Sequence, residues 1–278
     1  MPRRRRGGLV GGEPRAVWAA YGSTNRDCPL NWRRCARFGK VESYEVFAPF
    51  YDAVQGDRAE HAAYLGSLIE RHHPRAKTVL ELGCGTGSVL LQLRSRFEVA
   101  GVDLSERMIE VAKQKVPEAR FFHEDMTRLR LDEAFDVVLC VYDSINHLLR
   151  FEEWEAVFDR AREHLGDRGI FIFDINTERQ LVSLVGRPPW AHWFGDGNLL
   201  VMDVSDGGEG VSVWSIRVFE HLGDSSYRLH SEDIHEVSFP LDRIKASLEE
   251  RFRSVRTYDA HRSRPTSRSE RLHFVCRK

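Results

Sequence analysis

Three alternate glycines follow a short apolar run in Val79-Leu80-Glu81-Leu82-Gly83-Cys84-Gly85-Thr86-Gly87-Ser88. A strand that enters such a loop and then a helix brings backbone amides close to a ligand, because glycine adopts positive φ and has no side chain to hold the ligand away. The spacing is G-x-G-x-G rather than the dinucleotide pattern G-x-G-x-x-G, since Ser88 occupies the sixth position. A second apolar run, Glu98 to Val102, ends in Asp103, where a carboxylate can accept both hydroxyls of a ribose. Capping the helix that follows is its structural alternative. Glu81, Asp103 and Asp125 all fall at or just past strand ends and make an acidic crevice suited to a cationic ligand. A nicotinamide dinucleotide would instead place its pyrophosphate at the helix start.

A second group of polar residues follows the fourth apolar run, in Cys140-Val-Tyr-Asp-Ser-Ile-Asn-His147. Tyr142, Ser144 and Asn146 can hold a polar substrate, and His147 can act as a general base or orient that substrate. Asp174 and Asn176 end the fifth run and face the same crevice, although Asp174 can also serve a turn. Trp190, His192, Trp193, Phe194 and Trp214 offer apolar faces for a small ligand, or else form a small core of their own. Tyr44 and Tyr51 belong to an aromatic stripe at helical spacing, which serves either ligand contact or packing.

The elements that must position these residues alternate in period. After a helical run from Tyr44 to Val54 and another from Asp57 to Arg71, strands are expected at Thr78 to Leu82, Glu98 to Val102, Ala119 to His123, Phe135 to Cys140 and Gly169 to Phe173. Helices are expected near Ser88 to Arg96, Glu106 to Lys115 and Phe151 to His164, the last stopped by the glycines of Leu165 to Gly169. This alternation predicts an α/β fold, a doubly wound, mostly parallel, Rossmann-like sheet. Seven strands result once Ser254 to Ala260 and Glu270 to Cys276 close it after a helix from Leu241 to Arg251. Between the fifth strand and that helix, three β-like runs (Leu199 to Val204, Val211 to Phe219, Tyr227 to Val237) are separated by glycine-rich hairpin signals. They predict an antiparallel insert over residues 177–238 that covers the substrate.

These residues resemble the class I S-adenosylmethionine-dependent methyltransferases. Glu81-Leu-Gly-Cys-Gly-Thr-Gly87 matches that family's first motif, Gly101-Val-Asp-Leu-Ser105 with Met108 its second, and Glu124-Asp125-Met126 its third-strand acidic element. Tyr44 to Tyr51, Cys140 to His147 and the late insert are similar to small-molecule methyltransferases such as sugar-amine N-methyltransferases and glycine N-methyltransferase. The resemblance covers residues 44–278. It implies S-adenosylmethionine as cofactor, contacted by Tyr51, Glu81, Gly83, Cys84, Gly85, Gly87, Asp103, Leu104, Met108, Asp125, Met126 and Cys140. It implies His147 and Tyr44 at the reacting centre, with the acceptor held by Tyr142, Ser144, Asn146, Asn176 and Trp193. The expected reaction is methyl transfer to an N or O atom of a small metabolite. A sensor that binds the cofactor without transferring methyl, and an NAD(P)-dependent oxidoreductase, are the alternatives.

Composition bounds what remains. The 278 residues carry a net charge of −1. Residues 1–40 hold ten basic and two acidic side chains, a net +8, which leaves −9 on the other 238. A body of that sign repels a polyphosphate backbone, so nucleic acid is not expected as a partner. Arg, Gly and Pro dominate residues 1–40, which are expected to be a disordered head, a basic tail or a stretch translated from a misplaced start. Residues 41–278 form the expected catalytic domain. Five scattered Cys without a C-x-x-C pair indicate neither a disulfide framework nor a zinc site, and no metal is expected. No apolar run approaches the roughly 18 residues of a membrane helix, so a cytoplasmic location with no membrane partner is expected. The chain lacks both an Asn-Pro-Pro-Tyr signature and a Pro-Cys pair at Cys140, which argues against a nucleobase acceptor.

Overall fold

The computed structural model describes residues 44–259 and 264–278, which fall in one folded unit spanning Glu42–Lys278. The basic head expected at residues 1–40 lies outside the described residues. Two helices, α1 (Ala48–Gln55) and α2 (Ala59–His72), precede the glycine strand. Helix α1 is shorter than its aromatic spacing suggests. Tyr44 to Phe47 form a turn, Tyr44 sits at φ +73°, and Pro49 occupies the first helical turn, where its missing amide costs no hydrogen bond.

The chain then alternates: β1 (Thr78–Leu82), α3 (Ser88–Leu93), β2 (Glu98–Asp103), α4 (Glu106–Lys115), β3 (Arg120–His123), β4 (Phe135–Cys140), α5 (Phe151–Glu163) and β5 (Leu165–Asn176). Helix α4 starts where Ser105 accepts the Met108 amide, so the N-cap is Ser105 rather than Asp103, which instead accepts the Ser105 amide. Strand β5 begins four residues earlier than expected. Phe135 pairs with Leu165 but Val137 pairs with Ile170, so Gly166 to Gly169 form an irregularity inside the strand rather than a helix stop.

After β5 come α6 (Glu178–Leu184), then β6 (Trp190–Phe194), β7 (Asn198–Gly208), β8 (Val211–His221) and β9 (Tyr227–Glu236), and finally α7 (Leu241–Glu249), β10 (Ser254–Tyr258) and β11 (Arg271–Arg277). The fold is the expected doubly wound α/β. Seven strands lie in the order β10-β11-β5-β4-β1-β2-β3, all parallel except β11, and β6 to β9 form a separate antiparallel sheet. Four insert strands are present where three were expected, because Trp190 to Phe194 pairs with β7 as an edge strand.

The strand order reverses between β1 and β4, which opens a crevice at their carboxyl ends. Apolar clusters cover both faces of the large sheet, through Trp154 and Phe158 on one side and Leu65, Ile69 and Leu90 on the other. A third cluster joins Leu200, Ile216, Val218 and Ile234 on the second sheet to Phe47, so the insert packs on the N-terminal segment. No helix among the described residues is long and apolar enough to cross a membrane.

Candidate active site

The glycine loop leaves β1 at the reversal point. Gly83 has φ +68°, and a Cβ there would stand 2.8 Å from the Ser144 Cβ, so the close approach of the next loop requires glycine. Gly85 has φ +52°, yet a Cβ there meets nothing within 4 Å; its outer side is open space. Gly87 caps α3, while Cys84 is buried beneath the loop.

The three acidic positions lie on or just past three adjacent strands, β1, β2 and β3. Glu81 is 2% exposed, and its Oε2 has no partner among the described residues. Burial, with the nearby Asp103 charge, pushes its carboxyl well above the usual range. Asp103 accepts the Gly85 amide at 2.7 Å and the Ser105 amide at 2.9 Å, so loop and carboxylate fix one another. Burial raises its pKa against those amides. Asp125, past β3, accepts the Thr127 amide and hydroxyl at 2.9 and 2.7 Å. Leu104 receives a hydrogen bond from His123 on its carbonyl at 2.8 Å. Met108 and Cys140 are buried, and Met126 packs against the same core as Cys140.

Helix α1 is fastened to this loop by a cluster that sequence reasoning missed. Asp52 accepts the Thr86 hydroxyl at 2.6 Å and the Ser88 hydroxyl at 3.0 Å, and Lys115 reaches Asp52 at 2.6 Å. No local pattern announces it, since Asp52 and Lys115 lie 27 to 36 residues from Thr86 and Ser88.

Beyond the loop lies a cavity of about 800 Å³, bounded by α1 and α2, the ends of β5 and β11, and the inner face of the second sheet. Tyr44, Tyr51, Tyr142, Trp190 and Trp214 supply aromatic walls. Burial pushes Tyr51 up to about 12 and Tyr44 well above the usual phenol, so both stay protonated. The Tyr142 ring lies under Arg58, whose guanidinium carbon is 3.9 Å from the ring centre. Asn176 also lines the cavity, with its side chain held by Glu236 at 3.0 Å and by Arg271 at 3.1 Å.

Three expected substrate contacts are placed elsewhere. Trp193 is 61% exposed and does not line the cavity. It pairs with Leu199, whereas Trp190 pairs with the cavity residue Met202; alternation puts the two tryptophans on opposite faces of the sheet. Asn146 is fully buried and donates to the carbonyls of Asn176 and Val237 at 3.0 and 2.8 Å, stitching β5 to the end of the insert. Ser144 donates to the Val141 carbonyl at 2.8 Å and supports the glycine loop.

His147 stands behind Tyr44. Its Nε2 lies 3.2 Å from the Tyr44 hydroxyl and its Nδ1 3.2 Å from the His235 carbonyl. An Nδ1–H donated to that carbonyl leaves Nε2 to accept the Tyr44 proton. Burial lowers the His147 pKa, with Asp143 opposing, so the ring is held neutral.

The most heavily charged wall joins Asp174 and Asn176, expected to face the crevice, to Arg271, Asp143, His61, His273 and Glu236, which were not anticipated as functional. Arg271, at the start of β11, binds both oxygens of Asp174 at 3.2 Å, pairs closely with Asp143 and reaches Asn176. His61 and His273 oppose each other at 2.9 Å and approach Asp174 at 3.7 and 3.5 Å. Burial brings His61 down to about 4, against the pull of Asp174. Burial opposes ionisation of Asp174, but Arg271 and the two histidines outweigh it and hold its pKa below the usual range. His61, Asp174 and His273 are metal-ligand types, and their donor atoms lie within 4.8 Å. The Arg271 guanidinium already supplies the cation between Asp174 and Asp143. Glu236 completes this wall from β9. It shares an inner face with Ile234, a position where strand alternation calls for an apolar residue, and that misfit was the available sequence signal.

The family model for a methyltransferase domain matches residues 79–169. A protein of Geobacillus sp. (strain WCH70) is 29% identical over 260 residues, covering 85% of this chain and all of that one. A dTDP-3-amino-3,6-dideoxy-α-D-glucopyranose N,N-dimethyltransferase of Streptomyces fradiae is 36% identical over 132 residues, 46% of this chain and 52% of that one. An S-adenosylmethionine-dependent methyltransferase from Clostridium acetobutylicum superposes with a TM-score of 0.73 at 22% identity, over 84% of this chain and 98% of that one. Fold and motifs thus define a Rossmann-like methyltransferase. The chain carries a methyltransferase domain and is an S-adenosylmethionine-dependent methyltransferase.

Proposed function

We propose that this enzyme methylates an N or O atom of a small polar metabolite bound in the 800 Å³ cavity. The observation that carries the reading is the cavity itself: it lies beyond the glycine loop, within the size range of small-ligand sites, and combines aromatic faces with a few fixed charges. The dimethyltransferase of Streptomyces fradiae makes an amino sugar nucleotide the first acceptor to try.

The residues present fit the cofactor, because the open side of Gly85 and the unpartnered Glu81 oxygen leave space and an acceptor beside a cationic nucleoside. Bound there, S-adenosylmethionine would supply a methyl carbon made electrophilic by its sulfonium. Asp103 and Glu81 would take the ribose, Asp125, Leu104 and Met126 would flank the base, and the loop from Gly83 to Gly87 with Cys84 would meet the methionine end. Tyr51 would close over the site, with Met108 and Cys140 packing beneath. Tyr44, oriented by His147, would present its hydroxyl to the reacting centre. Tyr142 and Asn176 would hold the acceptor, and residues 177–238 would serve as its lid. Residues 1–40 would lie outside the catalytic domain. The buried free thiols Cys84, Cys140 and Cys276 suit a reducing, cytoplasmic setting.

Calorimetry with S-adenosylmethionine, followed by incubation of the labelled cofactor with a metabolite extract, tests this reading. Binding and a labelled small product are expected. Binding with no product would mark a sensor instead.

A further inference from the structure

Resting on that reading, we propose that Glu236, backed by Asp143, takes the proton from the acceptor, and that the acceptor atom is an amine nitrogen. Glu236 lines the cavity and is only 4% exposed. Its carboxyl, that of Asp143 and the His147 ring bring their polar atoms within 4.8 Å of one another, and Asn176 fixes one oxygen at 3.0 Å. His147 is poorly placed for the task. Both of its nitrogens are engaged, and it stands behind Tyr44 instead of lining the cavity.

The charges around Glu236 select the ligand. Asp143 follows β4, Asp174 and Asn176 end β5, Arg271 comes from β11, Tyr44 from the N-terminal turn, and Glu232 lies on the same strand face. Arg271 is the cation paired with Asp143 and Asp174, so an ionised Glu236 gives the wall an excess of negative charge. An ammonium relieves that excess, whereas a carboxylate acceptor adds to it.

Burial and the Asp143 charge raise Glu236 to about 8. Alkylammonium groups titrate at about 8 to 10. Proton transfer between them is therefore within roughly a hundredfold of even, while an ordinary carboxyl would leave the amine protonated by a factor of about 10⁴ to 10⁶. In the step, an ammonium N–H bond breaks and an O–H bond forms on Glu236. The freed nitrogen lone pair forms the N–CH3 bond while the S–CH3 pair stays on sulfur. Below about pH 8 the resting carboxyl is protonated, so binding an ammonium expels one proton to solvent.

The test incubates labelled S-adenosylmethionine with a metabolite extract, native or with its amines acetylated. Transfer is expected from the native extract and not from the acetylated one. Glu236→Gln should cut transfer about a hundredfold or more and abolish the rise of rate with pH near 8, with cofactor affinity within about twofold of the parent. His147→Gln should retain that rise. Transfer that survives acetylation, a Glu236→Gln variant within fivefold of the parent, or a tenfold loss of its cofactor affinity would each overturn the proposal. An extract that yields no product refutes methyl transfer itself. In that case carbon-13 NMR titration of labelled glutamates still decides: a signal near pH 8 that Glu236→Gln removes supports the carboxyl's role, and an ordinary carboxyl titration overturns it.

Discussion

Replacing Arg271 with Met would leave the Asp174 carboxylate, which has no exposed side-chain surface, without its guanidinium. Two hydrogen bonds of 3.2 Å to Asp174, one to Asn176 and the close pair with Asp143 would go together. Removing one partner of a buried ion pair costs about 3–5 kcal/mol, because the remaining charge is stranded. At about 2–4 °C per kcal/mol for a domain this size, the melting temperature falls by roughly 6–20 °C near pH 8. The loss depends on pH. In the parent, His61 titrates at about 4 when folded, against about 6.5 when unfolded, so its neutral form costs stability as pH falls through that window, up to about 3 kcal/mol. In Arg271→Met a lowering influence on His61 is gone and the Asp174 charge is uncompensated, so an imidazole takes up a proton and its folded pKa rises. A raised histidine pKa contributes stability at low pH and loses it as pH rises through the folded pKa. The deficit therefore shrinks as pH falls from about 8 to about 5.5. Urea unfolding followed by tryptophan fluorescence at both pH values measures it. A deficit below about 1 kcal/mol near pH 8, or equal deficits at both pH values, would refute the account.

Glu81→Gln should leave the free protein as stable or slightly more stable, because it neutralises a buried carboxyl with an unpartnered oxygen, while S-adenosylmethionine affinity measured by calorimetry falls about tenfold or more. Undiminished affinity would remove Glu81 from the site. Gly101→Ala would put a Cβ 2.7 Å from the Cys84 sulfur and should cost about 1–3 kcal/mol by overpacking, seen as a lower melting temperature with or without cofactor. Gly85→Ala meets no neighbour and should cost about 1–2 kcal/mol through its positive φ, but it should also lose most of the melting-temperature rise that cofactor gives the parent. Trp193→Ala should change stability by less than about 0.5 kcal/mol and leave acceptor KM unaltered, whereas Trp214→Ala, on the cavity wall, should raise acceptor KM.

The parts legible in the sequence are those whose cause is local. Helix α4 occupies Glu106–Lys115 as expected, since its apolar positions Met108, Ile109 and Ala112 all lie within that stretch. The glycine loop, Glu81 and Asp103 are likewise set by one strand-loop-helix unit and the strand beside it, in register from Thr78 to Leu82. The charged wall is not local. Arg271 and His273 reach it because β11 pairs antiparallel with β5, Arg271 opposite Asn176 and His273 opposite Asp174. A register shift of one residue would turn both away, and nothing within the stretch 271–277 specifies its partner. Trp190 and Trp193 looked equivalent as an aromatic cluster until pairing with β7 fixed their parity.

That difference bears on how specificity is built. Apart from Tyr51 and Cys140, the proposed cofactor side draws on one continuous stretch, from Glu81 to Met126, so most of its residue pattern is constrained as a unit. The cavity draws on α1, α2, the loop after β4, the end of β5, the insert and β11, six segments whose side chains meet only after folding. A substitution at Glu236, Trp214 or Arg58 can reshape the acceptor space without disturbing a single residue of the glycine loop. The same arrangement explains why the reaction class was readable from residues 79–169 while the acceptor chemistry rests on residues as far apart as His61 and His273.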